Sequence, residues 1–165
     1  MVRKIRTDDE SVVFEYFNET TVGEGGNNKK RTDNLLVQVF LKHFYRRNPN
    51  LFAKLPKLKS DNKSNVFAVD GIVGPQTITG IRVFQQFVRK IVGRGDGFID
   101  GRVSVPTGVF VPHSHSFFTI DQLNSKFFFG EKFNMKFNAR LQDHPQVFLL
   151  PELHAELSTL KAEER

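Results

Sequence analysis

The stretch Val69-Asp70-Gly71-Ile72-Val73-Gly74-Pro75-Gln76-Thr77 runs directly into an apolar-periodic segment, Ile78 to Val92. Asp70-Gly71 is a turn dipeptide, because an Asp side chain bonds its own downstream backbone and Gly takes positive φ without steric cost. Gly74-Pro75 then sets a helix start: proline at the first helical position gives up an N–H that has no intrahelical partner anyway, and its φ is already helical. Ile78, Ile81, Phe84, Val88 and Ile91 come after it at spacings of three and four, a single apolar stripe, with Arg82, Gln85, Gln86 and Arg89 at other angles. The pattern predicts an amphipathic helix launched by a tight turn. Gly80 inside it costs up to about 1 kcal/mol relative to Ala, which is expected where the first helix approaches closely.

A weaker copy of the turn lies thirty residues on, at Ile99-Asp100-Gly101-Arg102-Val103-Ser104-Val105-Pro106-Thr107. Asp, Gly, Val and Thr coincide under that offset, while Gly74-Pro75 is matched by Ser104-Val105 and the proline comes one place late. Upstream, Thr32 or Asp33 is the expected N-cap of a first helix running to about Arg47. That helix would bury Leu35, Leu36, Val39, Phe40 and Phe44, with Arg46 and Arg47 near its negative end and Asn48-Pro49-Asn50 stopping it. Leu51 to Asn65 is Lys-, Asn- and Ser-rich, an exposed connection with one short turn.

Turn, helix and second turn together resemble the peptidoglycan-binding-like domain family, whose hallmark is D-G-x-x-G-P-x-T, an A-x-x-x-F-Q-like helix and a further D-G turn. Phe84-Gln85 occupies the F-Q place. Val22-Gly23-Glu24-Gly25-Gly26-Asn27, Asp33, Val37-Gln38 and Leu41 are similar to the opening of one bacterial branch of that family. The resemblance spans residues 22–107, with a long basic connection from Arg46 to Ala68 and a degraded second turn as departures. It implies an orthogonal three-helix core; with the small antiparallel sheet that the alternation in the N- and C-terminal segments predicts, the chain is expected to be α+β. Residues 1–21 then form an N-terminal strand extension, 22–110 the helical domain, and 111–165 a Phe-rich extension with a hairpin and terminal helix. In that extension Lys132 to Leu141 alternates apolar and polar residues as a strand does, with Phe127 to Phe129 as its hairpin partner. Ser11 to Phe17 is the expected N-terminal strand. Thr119 to Leu123 reads as one helical turn. Pro151 opens a last helix with Leu153, Leu157 and Leu160 on one face.

The chain has 165 residues, a formal net charge of +6 and no cysteine. Disulfides and thiolate metal sites are therefore excluded, and the positive balance implies attraction to polyanions without choosing among them. Basic residues fall in separate groups, Lys29-Lys30-Arg31, Arg46-Arg47, and Lys54, Lys57, Lys59 and Lys63, with no recognised nucleic-acid motif. No run is long enough to span a bilayer. The first nine residues lack an apolar signal-peptide region, so a protein made in the bacterial cytoplasm would act in the periplasm or at the cell wall only after export by a route other than secretory translocation.

What the resemblance implies about function is non-catalytic binding of peptidoglycan, through its stem peptide or glycan, to anchor the chain or a partner to the sacculus. The exposed polar atoms of Asp70, Gln76, Thr77, Arg82 and Gln86 are the candidate ligand contacts, and Gly71, Gly74, Pro75, Asp100 and Gly101 shape the turns. Helix-start N–H groups near Gln76 and Thr77 suit a carboxylate. The competing reading keeps the fold for protein contacts, as an adaptor or cargo of a secretion, injection or phage particle; the absent export signal and the Phe-rich second half favour it, and the lack of Trp speaks against sugar binding. A cell-wall hydrolase is the lesser alternative. Glu24-Gly25-Gly26 is similar to one glycoside-hydrolase opening but lacks the downstream pattern, and His113, His115, His144 and His154 lack zinc-ligand spacing. No enzyme, metal or cofactor is assigned.

Overall fold

The protein is seen here as a computed structural model that describes residues 3–6, 14–56, 66–92, 99–105, 119–120, 123, 147 and 149–159. The elements are β1 (Arg3–Arg6), β2 (Phe14–Phe17), β3 (Val22–Gly23), α1 (Arg31–Arg47), α2 (Pro49–Phe52), α3 (Pro75–Val92), β4 (Arg102–Val103) and α4 (Pro151–Thr159). The chain is thus mixed: four helices and short antiparallel strand pairs among the described residues. The hairpin expected at 127–141 and Leu160 lie outside them.

The helix α1 is the axis of the core. Leu35, Leu36, Val39, Phe40 and Phe44 are buried as their spacing predicts, but so are Val37, Leu41 and Tyr45, and with them the polar Asp33, Asn34, Gln38 and His43. A helix buried on several faces must be covered from several sides, and α1 touches α2, α3, α4 and β3. The start of α1 differs from expectation. It begins at Arg31 behind Lys30, with no side-chain cap, so neither Thr32 nor Asp33 is the N-cap. Asp33 turns back instead, and one carboxylate oxygen accepts from the N–H of Glu19 (3.1 Å), the N–H of Thr20 (2.7 Å) and the Thr20 hydroxyl (2.8 Å). These bonds satisfy an otherwise unpaired loop backbone, a stronger demand than capping.

Burial pushes the Asp33 carboxyl above the usual aspartate range, against the Thr20 and Glu19 hydrogen bonds and the charge of Lys30, which pull it down. A carboxyl raised on folding holds its proton to higher pH than in the unfolded chain. Its contribution to stability is complete below the unfolded pKa and is lost as pH rises through the folded one. Asp33→Asn removes that titration. Chemical denaturation of both proteins from pH 7 downward should therefore show the difference in unfolding free energy moving toward the wild type as pH approaches the aspartate range. Movement the other way would mean that the hydrogen bonds outweigh burial.

Helix α3 starts at Pro75, as its sequence predicts. Ile81 and Phe84 are fully buried and Ile78 and Val88 partly so, but Ile91 is 58% exposed, because the helix outruns its cover at the C-terminal end. Phe84 and Phe87 meet Phe44 of α1 edge-on, with ring centroids 4.9 and 5.0 Å apart. Gly80 makes room chiefly for Phe67 of the connection before the turn, with α1 approaching through Tyr45 at ordinary contact distance. A Cβ there would sit 2.8 Å from the Phe67 ring, and the Tyr45 hydroxyl donates to the Gly80 carbonyl at 2.6 Å. Burial pushes the Tyr45 phenol up, so it remains a donor.

The short strands join distant parts of the chain. β3 pairs antiparallel with β4, Val22 opposite Val103 and Gly23 opposite Arg102, which sets the second D-G turn against the loop before α1. β1 and β2 pair antiparallel, Arg3 opposite Phe17 through Arg6 opposite Phe14. The expected N-terminal strand therefore takes its partner from the basic residues before it, a segment whose composition gave no strand signal. Ile120, Leu123, Val147, Leu153 and Leu157 are buried in the same apolar cluster as α1 and α3, so the extension after residue 110 contributes to the core.

Candidate functional site

Two matching hydrogen-bond locks organise one end of the molecule. In the first, Gln38 of α1 holds the Asp70-Gly71 turn: its amide nitrogen donates to the Asp70 carboxylate (3.1 Å), the Ile72 carbonyl (2.9 Å) and the Thr77 hydroxyl (3.2 Å), and its oxygen accepts from the Gly71 N–H (2.8 Å). Asp70 also accepts from the Ile72 N–H at 2.9 Å. In the second lock, Gln85 of α3 holds the Asp100-Gly101 turn. Its nitrogen donates to the Asp100 carboxylate (2.9 Å), the Arg102 carbonyl (2.9 Å) and the Thr119 hydroxyl (3.0 Å), its oxygen accepts from the Gly101 N–H (3.0 Å), and Asp100 accepts from the Arg102 N–H (2.9 Å). Gly71 and Gly101 share φ +74°, a conformation glycine takes without a Cβ penalty. Each unit is a glutamine on an earlier long helix, an Asp-Gly turn, and a threonine at the start of the next helical segment.

The second threonine is Thr119, whereas the thirty-residue offset selected Thr107, which lies outside the described residues. The lock has no constant spacing: Gln38 is 32 residues before Asp70 and Gln85 only 15 before Asp100. The glutamines themselves were visible in the sequence as Val37-Gln38 and Phe84-Gln85, a core residue followed by a buried amide, but their shared role was not.

The loop from Val22 to Asn28 gathers both turns. Asn28, at φ 50°, closes the loop by accepting from the Gly23 N–H and donating to the Gly23 carbonyl, each at 2.8 Å. The Glu24 N–H donates to the Gly101 carbonyl at 3.0 Å, joining the loop to the second turn. Asn34 of α1 donates to the Asn28 carbonyl (2.8 Å) and the Gly71 carbonyl (3.0 Å), joining it to the first.

Of the candidate contacts, Asp70, Arg82 and Gln86 are exposed, whereas Gln76 and Thr77 have 6% and 4% exposure. Gln76 accepts from the Ala68 N–H (3.0 Å) and donates to the Pro56 carbonyl (3.2 Å), holding the end of the basic connection; Thr77 belongs to the first lock. Their side chains are committed to the scaffold. Arg82 is ion-paired with Glu24, and its aliphatic stem lies beside Gly101. Arg31 lies beside Gly71 in the same way and pairs with Glu152 at the start of α4 (2.8 Å). Pro75 is exposed at the helix start, and no heavy atom lies near the Gly74 Cβ position, so sterics do not demand glycine there.

Comparison with family models, curated proteins and solved structures finds no match to this chain.

One exposed cation at this end carried no signal in the sequence. Arg102 comes directly after the second turn, its guanidinium flanks Gly25, and among the described residues it is in no ion pair. Around it are Glu24, Arg82 and Asp100, so the surface mixes both signs over a few side chains. Glu24, the residue similar to a hydrolase opening, is paired with Arg82. No group of three metal-ligating side chains occurs among the described residues, where His154 is the only one of the four singled-out histidines.

Proposed function

We propose that this chain is a non-catalytic module that binds peptidoglycan at the end where its three turns converge. The observation that carries this reading is the convergence itself: the loop that begins with the family-like Val22–Asn27 is tied to the Asp70-Gly71 turn through Asn34, which bonds the Asn28 and Gly71 carbonyls, and to the Asp100-Gly101 turn through the Glu24 N–H on the Gly101 carbonyl. In this reading α1 and α3 are two of the helices of that family's core. Arg102, Arg82 and Gln86 contact the ligand, Asp70 orients it, and Gln76 and Thr77 contribute backbone N–H groups of the first turn of α3. A surface of alternating sign suits a stem peptide, which carries both carboxylates and amines. A rigid frame beneath it limits the ordering cost of binding.

Co-sedimentation with purified sacculi at physiological salt tests the proposal. The protein is expected to pellet, and Arg102→Ala to weaken binding about tenfold, the worth of one charge-assisted hydrogen bond. Failure to pellet overturns the proposal and leaves the protein-adaptor reading. Pelleting unaffected by Arg102→Ala and Arg82→Ala together would move the binding face elsewhere.

A further inference from the structure

A cavity of about 410 Å³ opens at the far end of α1 from the turns, lined by Lys42, Tyr45, Arg46, Pro49, Phe52, Val66 and Phe67. That volume is within the range of small-molecule pockets, roughly 300–1,000 Å³. Three of its seven lining residues are aromatic. Tyr45 and Phe67 are both buried and stacked, with centroids 5.5 Å and planes 11° apart, and Phe52 of α2 leans on Tyr45 at 6.1 Å. Val66 at the rim is 50% exposed.

Two cations line the cavity beside these rings. Lys42 and Arg46 are one helical turn apart on α1, a spacing at which like charges repel. Among the described residues neither is in an ion pair. An open, mostly apolar pocket with two cations in its lining has the chemistry to hold a molecule with an apolar ring and a single negative group.

We propose that this cavity binds a small aromatic anion, its ring system against Phe52 and Phe67 and its acidic group between Lys42 and Arg46. The site is separate from the turn surface, since Asn34 and Arg46 are about 18 Å apart along α1, and it stands whether or not the chain binds peptidoglycan.

Titration of the full chain with 2-naphthoate, followed by NMR, tests the assignment. Saturable shifts are expected at Tyr45, Phe52 and Phe67, with affinity at least tenfold above that for the neutral 2-naphthalenemethanol and far above that for acetate. The double variant Lys42→Gln/Arg46→Gln, whose circular dichroism should match the wild type, is expected to lose at least tenfold in naphthoate affinity and nothing in affinity for the alcohol. Equal binding of acid and alcohol, equal binding of acetate, naphthoate affinity unchanged in the double variant, or no shifts at these rings would each overturn it.

Discussion

Gln38→Ala is expected to lower the free energy of unfolding by about 4 kcal/mol, because each of its hydrogen bonds is worth about 1 kcal/mol net. Gln38 is almost fully buried and makes four hydrogen bonds, and its loss leaves the Gly71 N–H without the acceptor that holds the turn in its positive-φ conformation. Gln38→Glu should cost at least as much at neutral pH. A carboxylate cannot donate to the Ile72 carbonyl, and it brings a second negative charge to the place where the amide nitrogen now lies 3.1 Å from Asp70. Urea unfolding measures both, and Gln85→Ala is the companion case at the second turn. A loss under 1 kcal/mol for either alanine variant would show that the turns stand without their glutamines.

Gly23→Ala should be the most damaging glycine substitution, at about 4 kcal/mol, in the tail of effects that mark a specific structural fault. Gly23 has φ +117°, where an L side chain is strained. Its added Cβ would overlap the carbonyl oxygen of Gly101 and come within 3.0 Å of Ile81 and 3.1 Å of the Arg102 Cα. Two of these obstacles are backbone, so no rotamer change relieves them. β3 and β4 would have to part, exposing the buried Val22 and Val103 and breaking the Glu24 to Gly101 bond. Gly74→Ala is the control, with open space at its Cβ and an expected change within about 0.5 kcal/mol. Thermal melts of both variants decide the matter: similar melting temperatures would mean that the strand pair tolerates displacement. Because Gly23 and Gly101 tie the loop to the second turn, sacculus binding should fall in Gly23→Ala and persist in Gly74→Ala.

The local choices were legible in the residues. Asp70-Gly71 and Asp100-Gly101 demanded turns, Pro75 began α3, Asn48-Pro49 ended α1, and the spacing of Ile81 and Phe84 named the buried face, because turn chemistry, proline and a 3.6-residue period act within a few positions along the chain. What only the tertiary structure decided depends on partners far apart in sequence. Gln38 and Gln85 look like ordinary polar helix residues until turns 32 and 15 residues away fold back onto them. Asp33 has the composition of a cap, yet the unpaired N–H groups of Glu19 and Thr20 claim it. Gln76 and Thr77 look available at a helix start but are drawn inward by Ala68 and Gln38. A buried polar group is governed by whichever donor or acceptor would otherwise go unpaired, and that partner is fixed by three-dimensional proximity, which no local pattern encodes.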